Sequence, residues 1–193
     1  MNSQNIIIET LESFINGDMK AFEQIYDQTI KMIYNVIYRI VPNDNDAQDI
    51  TQDTYIRAFE KRHTFSGLSN LSTWLYKIAV NKALNFSNKQ RYINTLRDQL
   101  SYFFKQREQA SDPPAFDLEE KNRFPIKKLL EKIKPEFRTC LILFEMENKS
   151  YQEISEILGI NIGTVRSRIY RAKKALRDLY NKMEGNNELP QKR

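Results

Sequence analysis

The sequence predicts an all-α protein: two small helical domains joined by a flexible linker, the C-terminal one containing a helix-turn-helix. Three observations carry that prediction. Apolar residues recur every three or four positions from about residue 19 to 89 and again from residue 126, the period of helices that bury one face. Only five glycines and six prolines occur in 193 residues, too few for a turn-rich sheet protein. Between the periodic regions stands "SDPPAFDLEEKN", where adjacent prolines and alternating charge recover too little burial to offset the cost of ordering.

A short first segment ends near Gly17, a plausible residue just past a helix end. Asp18 then caps a helix whose apolar stripe is Phe22, Ile25, Tyr26, Ile33, Ile37 and Ile40. Pro42 and "NDND" stop it. Asn45, with Gln48 three residues later, reads as a capping box opening a helix from Asp46 to about Lys61. "TFSGLSN" is a polar loop, and a further helix from Leu71 to Lys89 turns Leu71, Trp74, Leu75, Ile78 and Ala79 inward. These elements make a first domain over residues 1–92, followed by a linker over 93–124 in which "SYFF" can form a short docking helix. Periodicity returns with Leu129, Leu130 and Ile133, and Pro135 opens a new helix. The second domain spans residues 125–183, and a polar tail over 184–193 is expected to fray.

Composition removes several functional classes. One cysteine, Cys140, allows no internal disulfide and fits a reducing cytoplasm. With His63 as the one histidine, no zinc site can be built, and no cofactor is expected. Cys140 in "TCLILF" reads as a small core residue, and His63 as an exposed structural one. The N-terminal residues lack the pattern of a signal peptide, and the apolar runs are too short for a membrane span. Net charge is +5, so the distribution of charge matters more than its total.

That distribution is uneven. In "SYQEISEILGINIGTVRSRIYRAKKAL", Ile154, Ile157 and Leu158 give a first short helix its apolar face; Ser155 is small where two helices cross, and Gly159 suits the turn. Val165, Ile169, Ala172 and Leu176 step by four, three and four and form the buried seam of the second helix. Thr164, Arg166, Ser167, Arg168, Tyr170, Arg171, Lys173 and Lys174 are then its candidate DNA contacts. A cationic face beside a packed seam suits the major groove. Lysines neutralise phosphates there, and arginines also read guanine edges.

The first domain carries the opposite charge. Asp49, Gln52, Asp53 and Ile56 lie at i, i+3, i+4 and i+7, with Asp46 one turn before, while Ala47, Ile50, Thr54 and Ala58 face inward. An acidic, amide-bearing face repels DNA and suits a basic protein partner. On the helix from Leu71, Lys77, Asn81, Asn85 and Lys89 step by four along an outward stripe. The lysines can hold phosphates and the asparagines bases. Trp74 reads as core, and Phe65, in the loop, as the aromatic that meets an unstacked base.

"DAQDITQDTYIRAFEKR" followed by "TFSGLSNLSTWLYKIAVNKALNF" closely resembles region 2 of bacterial sigma factors, and "IGTVRSRIYRAKKAL" resembles their region 4 recognition helix. Two regions in this order, joined by a linker, are the plan of the extracytoplasmic-function (ECF) group. The resemblance implies an alternative sigma factor with no catalytic activity of its own. Its implied partners are core RNA polymerase (through the β′ clamp helices and the β flap), promoter DNA at the −35 and −10 elements, and an anti-sigma factor. It implies that Asp46, Asp49, Gln52, Asp53 and Ile56 dock on the clamp helices, and that Phe65, Lys77, Asn81, Asn85 and Lys89 capture the melted −10 strand. "SGLSNLST" departs from the family in having no charge between Phe65 and Trp74, so the −10 base preference transfers less well than the docking mode. The runner-up is a helix-turn-helix regulator that does not replace a sigma factor. A nuclease would use clustered carboxylates, and Asp44, Asp46, Asp49 and Asp53 stand without a lysine or histidine companion.

Overall fold

Caps and turns fix where each helix begins, and apolar spacing fixes which way it faces. The computed structural model describes residues 10–67, 70–105 and 129–185, and its described part contains helices and turns with no strand. Helix α1 (residues 10–15) ends in a paired turn: Gly17, at φ +93°, donates to the Phe14 carbonyl and Asp18 to that of Ser13. Only glycine adopts that backbone without strain. Asp18 then caps α2 (Met19–Ile40), its Oδ1 accepting from the Lys20 and Ala21 amides at 2.7 and 3.3 Å.

Asn43, two residues earlier than expected, caps α3 (Asp44–Glu60) by accepting from the Asp46 amide at 3.1 Å. Gln48 is therefore not a capping-box partner; it donates to Asp44 at 2.7 Å. The first residue after Pro42 that can accept in extended backbone takes the role. After a short 3-10 turn (Arg62–Thr64), helix α4 runs from Leu71 to Lys105. It thus continues through the first part of the expected linker. Residues 86–105 hold no glycine or proline and several good helix formers, but residues 91–100 are exposed and give no burial signal. The rest of that linker, residues 106–124, lies outside the described residues.

Helices α2, α3 and α4 pack on one another around Ile33, Val36, Ile37, Ala47, Leu75 and Ala79. Tyr26 sits at the edge of this packing, 36% exposed, with its ring 4.7 Å from that of Tyr55. A described helical turn over residues 129–131, α5, leads to α6 (Pro135–Glu145), α7 (Tyr151–Leu158) and α8 (Ile162–Gly185). Pro135 occupies the first turn of α6, where its missing amide costs nothing. Ser150 and Glu153 form a reciprocal capping box on α7. Gly159, at φ +64°, closes α7, and the Ser155 hydroxyl donates to the Ile160 carbonyl at 2.5 Å, tying the turn before α8.

The two units pack against each other through α2, α4, α6 and α7, and their buried residues form one continuous apolar cluster. Arg138, nearly buried, donates from Nη2 to the Ile40 carbonyl at 3.0 Å. That carbonyl is one of the unpaired groups at the negative end of α2, so a buried cation is matched there. Arg39 pairs with Glu147 and donates to the Met146 carbonyl at 3.1 Å.

Candidate functional site

The acidic face of α3 follows from the inward set. Ala47, Ile50, Thr51, Thr54, Tyr55 and Ala58 are buried, with the Thr51 and Thr54 hydroxyls each donating 2.7 Å bonds to carbonyls one turn back. Asp49, Gln52, Asp53 and Ile56 are thereby turned to solvent, Ile56 by 59%. Asp46 is half-buried at the start of the helix. Asp53 is shared: its Oδ2 lies 3.1 Å from the Lys82 ammonium on α4.

Beside this face, a cleft of about 590 Å³ runs between α3 and α4. Lys77, Asn81 and Asn85 line it from α4, with Trp74 and Ile78. Arg57, Lys61 and Thr64 line the other wall, and Lys82 lies at its side. Lys89 is exposed further along α4. Three of these cations, Arg57, Lys61 and Lys82, escaped the sequence reading; the four-residue spacing of Arg57 and Lys61 is the signal that marks those two. Among the described residues no carboxylate lines the cleft, which suits a polyanion.

Phe65 is not where the sequence reading put it. It is only 5% exposed, and its ring packs 5.6 Å from that of Trp74. Burying the Phe65 ring against the half-buried Trp74 removes more apolar surface from water than a polar loop suggests, so Phe65 belongs to the core and not to the cleft.

In the second unit, Val165, Ile169 and Ala172 are buried and Leu176 is half-buried. The seam leaves Arg166, Ser167, Arg171, Lys173 and Lys174 exposed, with Tyr170 at 68%. Thr164 is half-buried in the first turn, its carbonyl accepting from the Ser167 hydroxyl at 3.0 Å. Arg168 is half-buried beside Cys140. Lys173 is ion-paired with Glu145 at 2.6 Å, and Arg171 lies 5.8 Å over the Phe137 ring. Behind α8, Leu130, Leu141, Ile142, Met146 and Leu176 line an apolar groove of about 280 Å³. Cys140 is fully buried, and burial pushes its thiol up to about 11, with Arg168 opposing that shift. Among the described residues no cluster of His, Cys, Asp or Glu could hold a metal ion, and no helix is long and apolar enough to cross a membrane.

Family models described as sigma-70 region 2 and sigma-70 region 4 match residues 25–92 and 123–176. An ECF RNA polymerase sigma factor of Mycolicibacterium smegmatis is 32% identical over 162 residues, 83% of this chain and 62% of that protein's length. The ECF RNA polymerase sigma-E factor of Salmonella typhimurium is 29% identical over 180 residues, 90% of this chain and 92% of its own. A sigma factor from Bartonella quintana, solved in complex with an anti-sigma factor, shares the fold at TM-score 0.55 and 23% identity, over 84% of this chain and 98% of that one.

Proposed function

The chain belongs to the extracytoplasmic-function group of RNA polymerase sigma factors, and from that premise we propose how its faces divide the work of initiation. The acidic face of α3 (Asp46, Asp49, Gln52, Asp53, Ile56) docks on the β′ clamp helices of core polymerase. The cleft, with Lys77, Asn81, Asn85 and Lys89, holds the melted −10 strand. The exposed face of α8, centred on Arg166, Tyr170, Arg171 and Lys174, holds duplex DNA at the −35 element. The apolar groove behind α8 takes a segment of the β flap. One observation carries this reading. An acidic face with a cationic cleft beside it, and a cationic face on α8, are all turned to solvent in one fold.

No bond is made or broken by the protein in this reading. Flipping bases out of a duplex costs a few kcal/mol. A cleft that binds only the single strand offsets that cost and shifts the promoter towards the open form. The Bartonella quintana relative in complex with an anti-sigma factor supports an anti-sigma partner here, and the site of action is the cytoplasm, where core polymerase resides.

The test is a run-off transcript from core enzyme plus this protein on a library of genomic fragments. Transcripts with aligned start sites are expected. Strict dependence on an added housekeeping sigma factor would make the protein a helix-turn-helix regulator instead.

A further inference from the structure

We propose that Lys82 is a further strand-contacting residue, held in reserve by Asp53 until core polymerase takes that carboxylate. The idea rests on the polymerase-docking and strand-binding roles assigned above. Asp53 belongs to two surfaces at once. It is part of the exposed face of α3, and its Oδ2 also lies 3.1 Å from Lys82 Nζ, with the two side chains 65% and 32% exposed. Lys82 in turn lines the α3–α4 cleft together with Asn81 and Asn85. Lys82, Asn85 and Lys89 stand at i, i+3 and i+7, so they share one side of α4.

An ion pair this exposed is weak and readily exchanged. A basic residue of a docking partner competes for Asp53 in an interface that excludes water, where charge pairs gain strength. Once Asp53 is engaged, the flexible four-carbon stem of Lys82 lets its ammonium swing to a phosphate in the cleft. Arg57 is similarly offset by Glu60 at 2.9 Å, so half of the cleft's four cations are neutralised in the free chain. Linkage makes the device reciprocal: a strand held by Lys82 releases Asp53 and strengthens docking.

A double-mutant cycle on the full-length chain tests this, with a fluorescent random-sequence single-stranded 20-mer DNA titrated at several salt concentrations. Asp53→Asn is expected to steepen the salt dependence by about 0.7, one strand phosphate. Lys82→Gln added to it is expected to remove that gain, whereas Lys82→Arg keeps it. If Asp53→Asn gives the same gain with and without Lys82, the effect is one of net charge and the proposal falls. In reconstituted holoenzyme on the same 20-mer, Lys82→Gln is expected to lower the slope by about 0.7; an unchanged slope also overturns it. Circular dichroism of each variant checks folding. Wild-type chain that fails to bind core enzyme would sink the functional reading itself, while binding and transcription without coupling in the cycle would sink this proposal alone.

Discussion

The hydroxyl of Tyr76 donates a 2.8 Å hydrogen bond to Oε2 of Glu147, joining α4 of the first unit to the loop before α7 of the second. The other carboxylate oxygen is paired with Arg39 on α2, and Lys149 lies 4.8 Å over the Tyr76 ring. Glu147 is thus a hub on which both units converge. Burial first, then the Glu147 hydrogen bond, raises the Tyr76 phenol above its ordinary value.

Removing the hub leaves Tyr76 without its acceptor and deprives Arg39 of its ion-pair partner. Glu147→Ala is expected to cost about 1–3 kcal/mol and to lower Tm by about 2–4 °C for each kcal/mol. Glu147→Gln keeps an acceptor and should lose less. Energy transfer between dyes on residues of the two units should broaden in the alanine variant. An unchanged distance distribution and Tm would show that the apolar contacts alone hold the units together.

Phe65 offers a sharp separation of core from contact roles. Truncating a buried phenylalanine costs on the order of 3–5 kcal/mol, so Phe65→Ala should be strongly destabilised. Phe65→Leu refills most of the space beside Trp74 and should recover most of the stability and bind promoter DNA as the parent does. A stable leucine variant with weakened binding to a forked −10 template would return Phe65 to the DNA face.

These two cases mark what was legible in the sequence. Helix positions and inward faces were readable because burial imposes a 3.6-residue period: Ile33 and Ile37, or Val165 and Ile169, announce their side. Gly17, Asp18, Pro135 and Gly159 announce ends through their own backbone chemistry. The extension of α4 beyond residue 92 was not readable, since Tyr92, Leu96 and Leu100 are exposed and no buried stripe marks it. Pairs such as Tyr76 with Glu147, or Arg138 with the Ile40 carbonyl, join residues 71 and 98 positions apart. A period cannot reveal them. Of the candidate sites, the exposed sets on α3 and α8 emerged from the seams they flank, whereas Phe65 failed because a polar loop conceals how deeply one ring is packed.

The acidic face of α3 makes a prediction that separates folding from docking. Asp49 is exposed and away from the packed side of α3, so Asp49→Lys should leave helical content intact. The reversed charge faces a basic partner surface, and like charges across an interface cost several kcal/mol. Capture of core polymerase should therefore be lost. Retained capture with normal circular dichroism would remove Asp49 from the docking face.

Cys140 links burial to pH. Its thiol is pushed up to about 11 from an ordinary value of 9.0, burial being the main cause. A folded-state value raised in this way stabilises the native chain fully below about pH 9, and the contribution is lost as pH rises through about 11. At pH 8 a thiol-specific disulfide reagent should leave the native protein unlabelled and react at once after denaturation. Rapid labelling of folded protein would contradict the buried, protonated thiol.

On α8, Lys174 is exposed with no ion pair among the described residues, while Arg171 lies over the Phe137 ring at 5.8 Å. A lysine held only by a phosphate contributes regardless of base sequence. Lys174→Ala should weaken binding to specific and random duplex alike and reduce the salt slope by about 0.9. Arg171 is pre-oriented by the aromatic face, which favours a fixed donor fork over a mobile charge. Arg171→Ala should cost about 1–3 kcal/mol at particular base pairs, as loss of a bidentate base contact does, and little on random duplex. Equal losses for both variants on both kinds of DNA would mean that the cationic face neutralises phosphates and reads no sequence.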